Sequence, residues 1–193
     1  MKPTTSTTFP KCDTEFTKDD IVMISGHLDA PQSYFDEYYI PLIYSALMMG
    51  CKFVIGDARG IDAFAQAFLH SLGIRDVVIF HATTPSYNTP RHNIGKWPTD
   101  GNWATQTQKD AAMTAKSTKD IAFVAEGREH RGTALNLLRR QEQRSLRKEP
   151  VVEPPELQVK QVYIDSARQM LGNPLPGLVF KGHGKTIKAK KHG

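Results

Sequence analysis

Short apolar runs that stop at a glycine and then lead into an amphipathic helix set the strongest constraint on this chain. Lys52-Phe53-Val54-Ile55 ends at Gly56, and Ile61, Phe64, Ala65, Phe68, Leu69 and Leu72 follow at helical spacing, with Gly73 as the stop. Ile21-Val22-Met23-Ile24-Ser25 is a run of the same kind, halted by Gly26. Phe35, Tyr38, Tyr39, Leu42, Ala46 and Leu47 then recur at helical spacing from about Ser33 to Met49. Pro41 either kinks that helix or begins its main segment. Val77-Val78-Ile79-Phe80 is a third run. Runs that are apolar throughout, rather than at alternate positions, suit strands covered on both faces. The alternation predicts an open α/β fold: a parallel sheet joined by crossover helices, with helices on both faces.

Residues 81–105 break this rhythm. Pro85, Pro90, Pro98, Gly95 and Gly101 make them a long polar loop carrying Trp97 and Trp103, and such loops in compact domains are usually binding loops or lids. A helix from about Ala104 to Ala115, a strand over Asp120–Val124 and a helix from Thr133 to about Arg147 follow. Residues 1–18, rich in Thr, Ser, Pro and Lys, read as a flexible lead-in, and 19–148 as the α/β domain. Residues 149–180 begin with a Pro- and Glu-rich stretch and read as a linker with an appended element, and 181–193 as a basic tail.

The 193 residues are enough for one domain with a full core and no covalent staples. Cys12 and Cys51 form no CxxC pair, so neither a disulfide framework nor a zinc site is expected, and a reducing cytoplasmic setting is. No apolar run is long enough to span a bilayer, and the polar N-terminus has no signal-peptide core. The net charge of +5 sits almost wholly in the tail, where Lys181, Lys185, Lys188, Lys190 and Lys191 occur without an acid. The rest is close to neutral, which argues against a basic face of the kind a dedicated nucleic-acid binder uses.

In an open α/β sheet, ligands bind beyond the carboxyl ends of the strands. Three such ends carry glycine here: Ser25-Gly26-His27, Gly56-Asp57-Ala58-Arg59-Gly60-Ile61-Asp62, and Glu126-Gly127 through Arg131-Gly132-Thr133. Glycine lets the backbone approach a ligand closely, and a helix that opens after such a turn offers free N–H groups to an anion. Arg59 and Arg131 are placed to pair with phosphate oxygens. Ser25, Gly26, Gly56, Arg59, Gly60, Asp62, Arg131, Gly132 and Thr133 are therefore the expected ligand-binding residues. Asp62 also suits a plain capping role in the first turn of its helix. Asp57 is placed either to hold a ribose hydroxyl or to orient Arg59. The histidines show no HxH or HxxxH spacing, so no metal site is expected, and no other cofactor is indicated.

Phe53 to Ala65, with its Gly56-Asp57-Ala58-Arg59-Gly60-Ile61-Asp62 core, resembles the glycine-rich segment of the SMF/DprA–LOG (SLOG) superfamily, in which DNA-processing proteins carry a G-x-A-x-G-I-D-x-x-A run. Asp120–Val124 with Arg131-Gly132-Thr133-Ala134 is similar to the second superfamily signature, a strand followed by G-G-x-G-T at a helix start. Lys109-Asp110-Ala111-Ala112-Met113 lies where LOG enzymes carry an Arg-Lys-x-x-Met-like helix. The resemblance covers roughly Ile21 to Arg140 and is closest to small stand-alone members of the YspA-like kind. It implies a Rossmann-like fold that binds a nucleotide or nucleotide-derived ligand, as a sensor or sequestering protein.

Two alternatives come with that resemblance. One is a phosphoribohydrolase that releases the base from a nucleoside monophosphate. The glutamate that LOG enzymes carry after Gly-Thr is missing, because Ala134-Leu135-Asn136 stand there, so the catalytic carboxylate would be Asp57 or Glu126. The other is single-stranded DNA binding through Arg139, Arg140, Arg144, Arg147 and the lysine tail, which lacks aromatic platforms after Phe180. Superfamily members often self-associate, and the Tyr-rich first helix is a candidate surface for a homo-oligomer.

Overall fold

The computed structural model describes residues 12–83 and 88–147. The linker with its appended element (149–180) and the basic tail (181–193) lie outside the described residues. The order is β1 (Ile21–Ser25), α1 (Gln32–Tyr38), α2 (Ile40–Met48), β2 (Lys52–Gly56), α3 (Ile61–Ser71), β3 (Val77–Ala82), β4 (Thr99–Trp103), α4 (Gln106–Lys116), β5 (Lys119–Ala122) and α5 (Gly132–Arg147). The strands form one all-parallel sheet in the order β4-β3-β2-β1-β5. This is the open α/β fold that the alternation of runs and helices predicts.

Side-chain parity along the strands separates two cores. Val22, Ile24, Phe53, Ile55, Val77, Ile79 and Ile121 face a layer built from α1, α2 and α3. Met23, Val54 and Phe80 point the other way and meet Met113 of α4. Neighbouring residues thus enter different cores, which is why the runs in β1, β2 and β3 are apolar at successive positions. Each fully buried aliphatic or aromatic side chain contributes about 1.5–3 kcal/mol.

The helix read over residues 33–49 is two helices, with Tyr39 as the joint and Pro41 in the first turn of α2. Proline lacks the N–H and crowds the preceding turn, so it starts a helix more easily than it continues one. Tyr39 is fully buried: its hydroxyl donates to the Ser25 carbonyl at 3.0 Å and accepts from the Phe123 N–H at 3.2 Å.

The long polar loop contains a strand. Among the described residues Thr99-Asp100-Gly101-Asn102-Trp103 pairs only with β3, through an irregular register, and Asn102 has φ +69°. An edge strand with one neighbour needs no continuous apolar face, so composition does not mark it. Trp97 and Trp103 act as anchors. Trp97 is buried with its ring N–H donating to the Ile74 carbonyl at 2.8 Å, and Trp103 packs against the Met23/Val54/Phe80 core.

Residues 12–18, grouped by composition with the lead-in, are packed. Cys12 and Phe16 belong to the first core, and Asp13 accepts two hydrogen bonds from Arg144 at 2.9 and 2.8 Å. Arg140 is also internal. It pairs with Asp120 at 2.7 Å, and both side chains are almost wholly buried. Among the described residues no helix is long and apolar enough to cross a membrane.

Candidate functional site

Strand order decides where a cleft can form. The chain builds β1, β2, β3 and β4 outward in one direction, then returns under the sheet through α4 to place β5 on the other side of β1. The loops after β1 and β5 therefore diverge, leaving a crevice at the carboxyl edge. A cleft of about 430 Å³ opens there, within the range of small-molecule sites.

Most of the residues expected from the sequence meet in it. Ser25 and Gly26 come from the end of β1, Arg59 and Asp62 from the turn and first residues of α3, and Arg131, Gly132 and Thr133 from the start of α5. Ser25 Oγ is buried and has no hydrogen-bond partner among the described residues. The first intrahelical bond of α5 runs from Leu135 N to the Arg131 carbonyl. The N–H groups of Gly132, Thr133 and Ala134 thus precede the helical ladder and carry the positive end of its dipole, and no acidic residue lies in that turn. Arg59 and Arg131 are exposed and, among the described residues, make no ion pair.

Gly60 has φ +75°, in the region that favours glycine. A Cβ there would collide with the backbone of His27 and Leu28. That close approach lets Ile61 N–H donate to the His27 carbonyl at 3.3 Å, which ties the start of α3 to the loop after β1. Gly60 therefore supports the cleft without lining it. At Gly56 a Cβ would run into the Asp62 carboxylate and come within 3.2 Å of Lys109 Nζ, so the missing side chain makes room for both groups over the end of β2.

Asp57 and Glu126, the two candidate catalytic carboxylates, do not line the cleft. Asp57 is buried and held by Arg91, whose backbone N–H and Nε donate to Oδ2, both at 3.0 Å, while an NH2 donates to Oδ1 at 2.9 Å. Burial pushes this carboxyl upward, but the Arg91 hydrogen bonds and charge outweigh it and hold the pKa below the ordinary value. Glu126 is exposed.

Of the two aspartates that flank the turn before α3, the one that reaches the cleft is Asp62. Its Oδ2 accepts from Ala58 N–H at 3.3 Å. Burial pushes its pKa up to about 6, against the downward pull of the Lys109 ammonium. Lys109 is itself buried and lies 3.2 Å from Asp110 Oδ1. His27 bridges the loops after β1 and β5, because its Nε2 accepts from Ala125 N–H at 2.9 Å. Burial and the Arg128 charge lower its pKa, outweighing the opposite pull of Asp29. The neutral form is the one whose Nε2 can accept, which places the ring proton on Nδ1.

Arg91 and Arg128 had no sequence signal. Each lines the cleft because of a partner far away in the chain, Asp57 for Arg91 and Asp29 for Arg128. Among the described residues no group of three or more His, Cys, Asp or Glu is placed to hold a metal ion. No protein-family model matches the chain, and neither a curated protein nor a solved structure matches it with significance.

Proposed function

We propose that this chain is a SLOG-type domain whose switch-point cleft binds a nucleotide or nucleotide-derived ligand by its phosphate. One observation carries the reading. The first N–H groups of α5 and the guanidinium groups of Arg59 and Arg131, which make no ion pair among the described residues, surround one crevice, and the Ser25 hydroxyl is buried beside it. Backbone N–H groups at a helix start and arginine forks are the donors that phosphate oxygens require. Arg91 stands on the same cleft with its side chain 49% exposed, and a guanidinium plane is a good surface for a base to stack on. The reducing cytoplasm suits such a protein, since Cys12 and Cys51 are free thiols.

The sensor or sequestering reading is favoured over catalysis because neither Asp57 nor Glu126 is presented to a bound ligand. It is favoured over single-strand binding because Arg140 and Arg144, two of the arginines that reading needs, are engaged by Asp120 and Asp13. The test is thermal unfolding of the full chain with nucleoside mono-, di- and triphosphates and with inorganic phosphate. Mass spectrometry of small molecules released on denaturation accompanies it. A phosphate-bearing ligand at a hundred times its Kd raises stability by about 2.7 kcal/mol. If no nucleotide moves the transition and none co-purifies, the reading is lost. Release of free base from a nucleoside monophosphate would instead revive the hydrolase alternative.

A further inference from the structure

We infer that Asp62 and Lys109 form a sugar-reading subsite, so that the cleft selects a phosphorylated ribose by its vicinal hydroxyls rather than any phosphate ester. The inference rests on the phosphate-binding reading above and names the class of group beside the phosphate.

Asp62 has one oxygen occupied and one open. Oδ2 takes the Ala58 N–H, no hydrogen bond among the described residues reaches Oδ1, and Oδ1 is not sealed from the surface. A capping carboxylate on an exposed helix start would satisfy Ala58 equally well and stay in water. This one is pressed over the bare Cα of Gly56, which the Lys109 ammonium also approaches. Lys109 has three donors, and among the described residues its one ion pair is with Asp110 Oδ1 at 3.2 Å.

An open carboxylate oxygen beside an ammonium with spare donors asks for a group that both donates and accepts. The cleft also fixes the charge of that group. Arg59, Arg91, Lys109, Arg128 and Arg131 line it against Asp29, Asp62 and Asp110, so a cationic group has no advantage at its floor. A neutral hydroxyl meets both demands, and a vicinal pair meets them together: one hydroxyl donates to Oδ1, and the other accepts from Nζ. In a ribosyl phosphate such a pair lies on the same ring that carries the phosphate. The α5 start and Asp62 are walls of one cleft, so one ligand can reach both.

The experiment uses the full chain and calorimetric or fluorescence titration with inorganic phosphate, the four common ribonucleoside 5′-monophosphates and their 2′-deoxy counterparts. Each ribonucleotide is expected to bind about 10- to 100-fold more tightly than its 2′-deoxy form, the worth of a hydrogen bond to a charged group. In Asp62→Asn that preference collapses, read as the ratio of ribo to deoxy affinities, so that any general change in phosphate affinity divides out. Lys109→Met gives a second, independent loss of the preference.

Equal affinities for ribo and deoxy forms in the unaltered protein overturn the inference while leaving phosphate binding intact. So does a preference that follows an amino group of the base, or one that survives in Asp62→Asn. Failure of every probe, inorganic phosphate included, removes the phosphate-binding reading and the sugar subsite with it.

Discussion

Arg91 closes on Asp57 with three hydrogen bonds of 2.9 to 3.0 Å, one from its backbone and two from its guanidinium, across 34 positions of sequence. The contact pins the segment before β4 to the turn after β2. Gln66 of α3 extends the attachment, donating to the Gly56 and His92 carbonyls and accepting from Ile94 N–H. One wall of the cleft is thus held from below by a carboxylate that the ligand need not touch.

Arg91→Ala leaves the buried Asp57 carboxylate with only the backbone N–H of its former partner. The expected loss is about 1–3 kcal/mol, below the 3–5 of a fully buried pair because half of the guanidinium is in water. The pH dependence has a definite sign. Asp57 has a depressed pKa in the folded state, so its contribution is full above the ordinary carboxyl value of 3.8 and is lost as pH falls through the folded value. Urea unfolding at pH 7 and pH 3 checks this, and a gap between the two proteins that widens in acid contradicts it.

Asp62 has the opposite sign. Its carboxyl rises from 3.8 to about 6 on folding, so the folded state binds more protons than the unfolded chain between those values, and stability falls as pH rises through them. At pH 7 the ionised group costs about 3 kcal/mol, of which Asp62→Asn is expected to recover a large part. The variant keeps an oxygen for Ala58 N–H. It should melt higher than the unaltered protein at pH 7, with the difference vanishing near pH 4. A lower melting temperature at pH 7 would show that attraction to the Lys109 charge outweighs burial.

Gly60→Ala tests the backbone contact that shapes the cleft. The residue has φ +75°, and an added methyl would collide with the His27 and Leu28 backbone. The expected cost is about 2 kcal/mol or more, from strain and from displacing the Ile61 to His27 hydrogen bond. Gly50, also at φ +75° but with open space around it, provides the comparison, and Gly50→Ala is expected to cost only about 1 kcal/mol. Denaturation midpoints of the two variants decide it.

The parts of this fold visible in the sequence are those governed by local rules. β1, β2 and β3 are apolar throughout because both their faces are covered, and α3 shows its buried side at helical spacing with a glycine at each end. The glycine-marked ends of β1 and β2 and the loop after β5 lead to the crevice because these three strands are neighbours in a parallel sheet and end at one edge. Asp57 could not be separated from Asp62 in this way. Both flank the same turn, and only the distant Arg91 takes one of them out of the cleft. β4 escaped because an edge strand can consist of Thr, Asp, Gly, Asn and Trp. Arg140 reads as part of a solvated basic helix face until Asp120, twenty positions back, is seen beneath it.

That buried pair makes its own prediction. Arg140 Nε lies 2.7 Å from Asp120 Oδ2, and its remaining donors reach the Ser117 carbonyl, the Ser117 hydroxyl and Gln143. Arg140→Met strands a buried carboxylate whose other oxygen has no partner among the described residues, at a cost of about 3–5 kcal/mol. The double variant Asp120→Leu/Arg140→Met removes both charges and should recover most of that loss. Chemical denaturation of the single and double variants measures the difference, and equal losses in the two would show that the pair is not what the position requires.

Arg59 and Arg131 carry the charge part of the phosphate-binding reading, and their exposure makes that part separable. Both sit at the cleft without an ion-pair partner among the described residues, so neither balances a carboxylate there. Replacing either with glutamine should leave stability within about 0.5 kcal/mol. Affinity for a nucleotide should fall about 10-fold in each, and the dependence of affinity on salt should become shallower. Arg75 is exposed just before β3, at the opposite edge of the sheet from the cleft, so Arg75→Gln makes the same change in net charge away from the site. Titrations at two salt concentrations separate a local contact from a general field. If Arg75→Gln weakens binding as much as Arg131→Gln does, the anion is attracted by overall charge and not held at the start of α5.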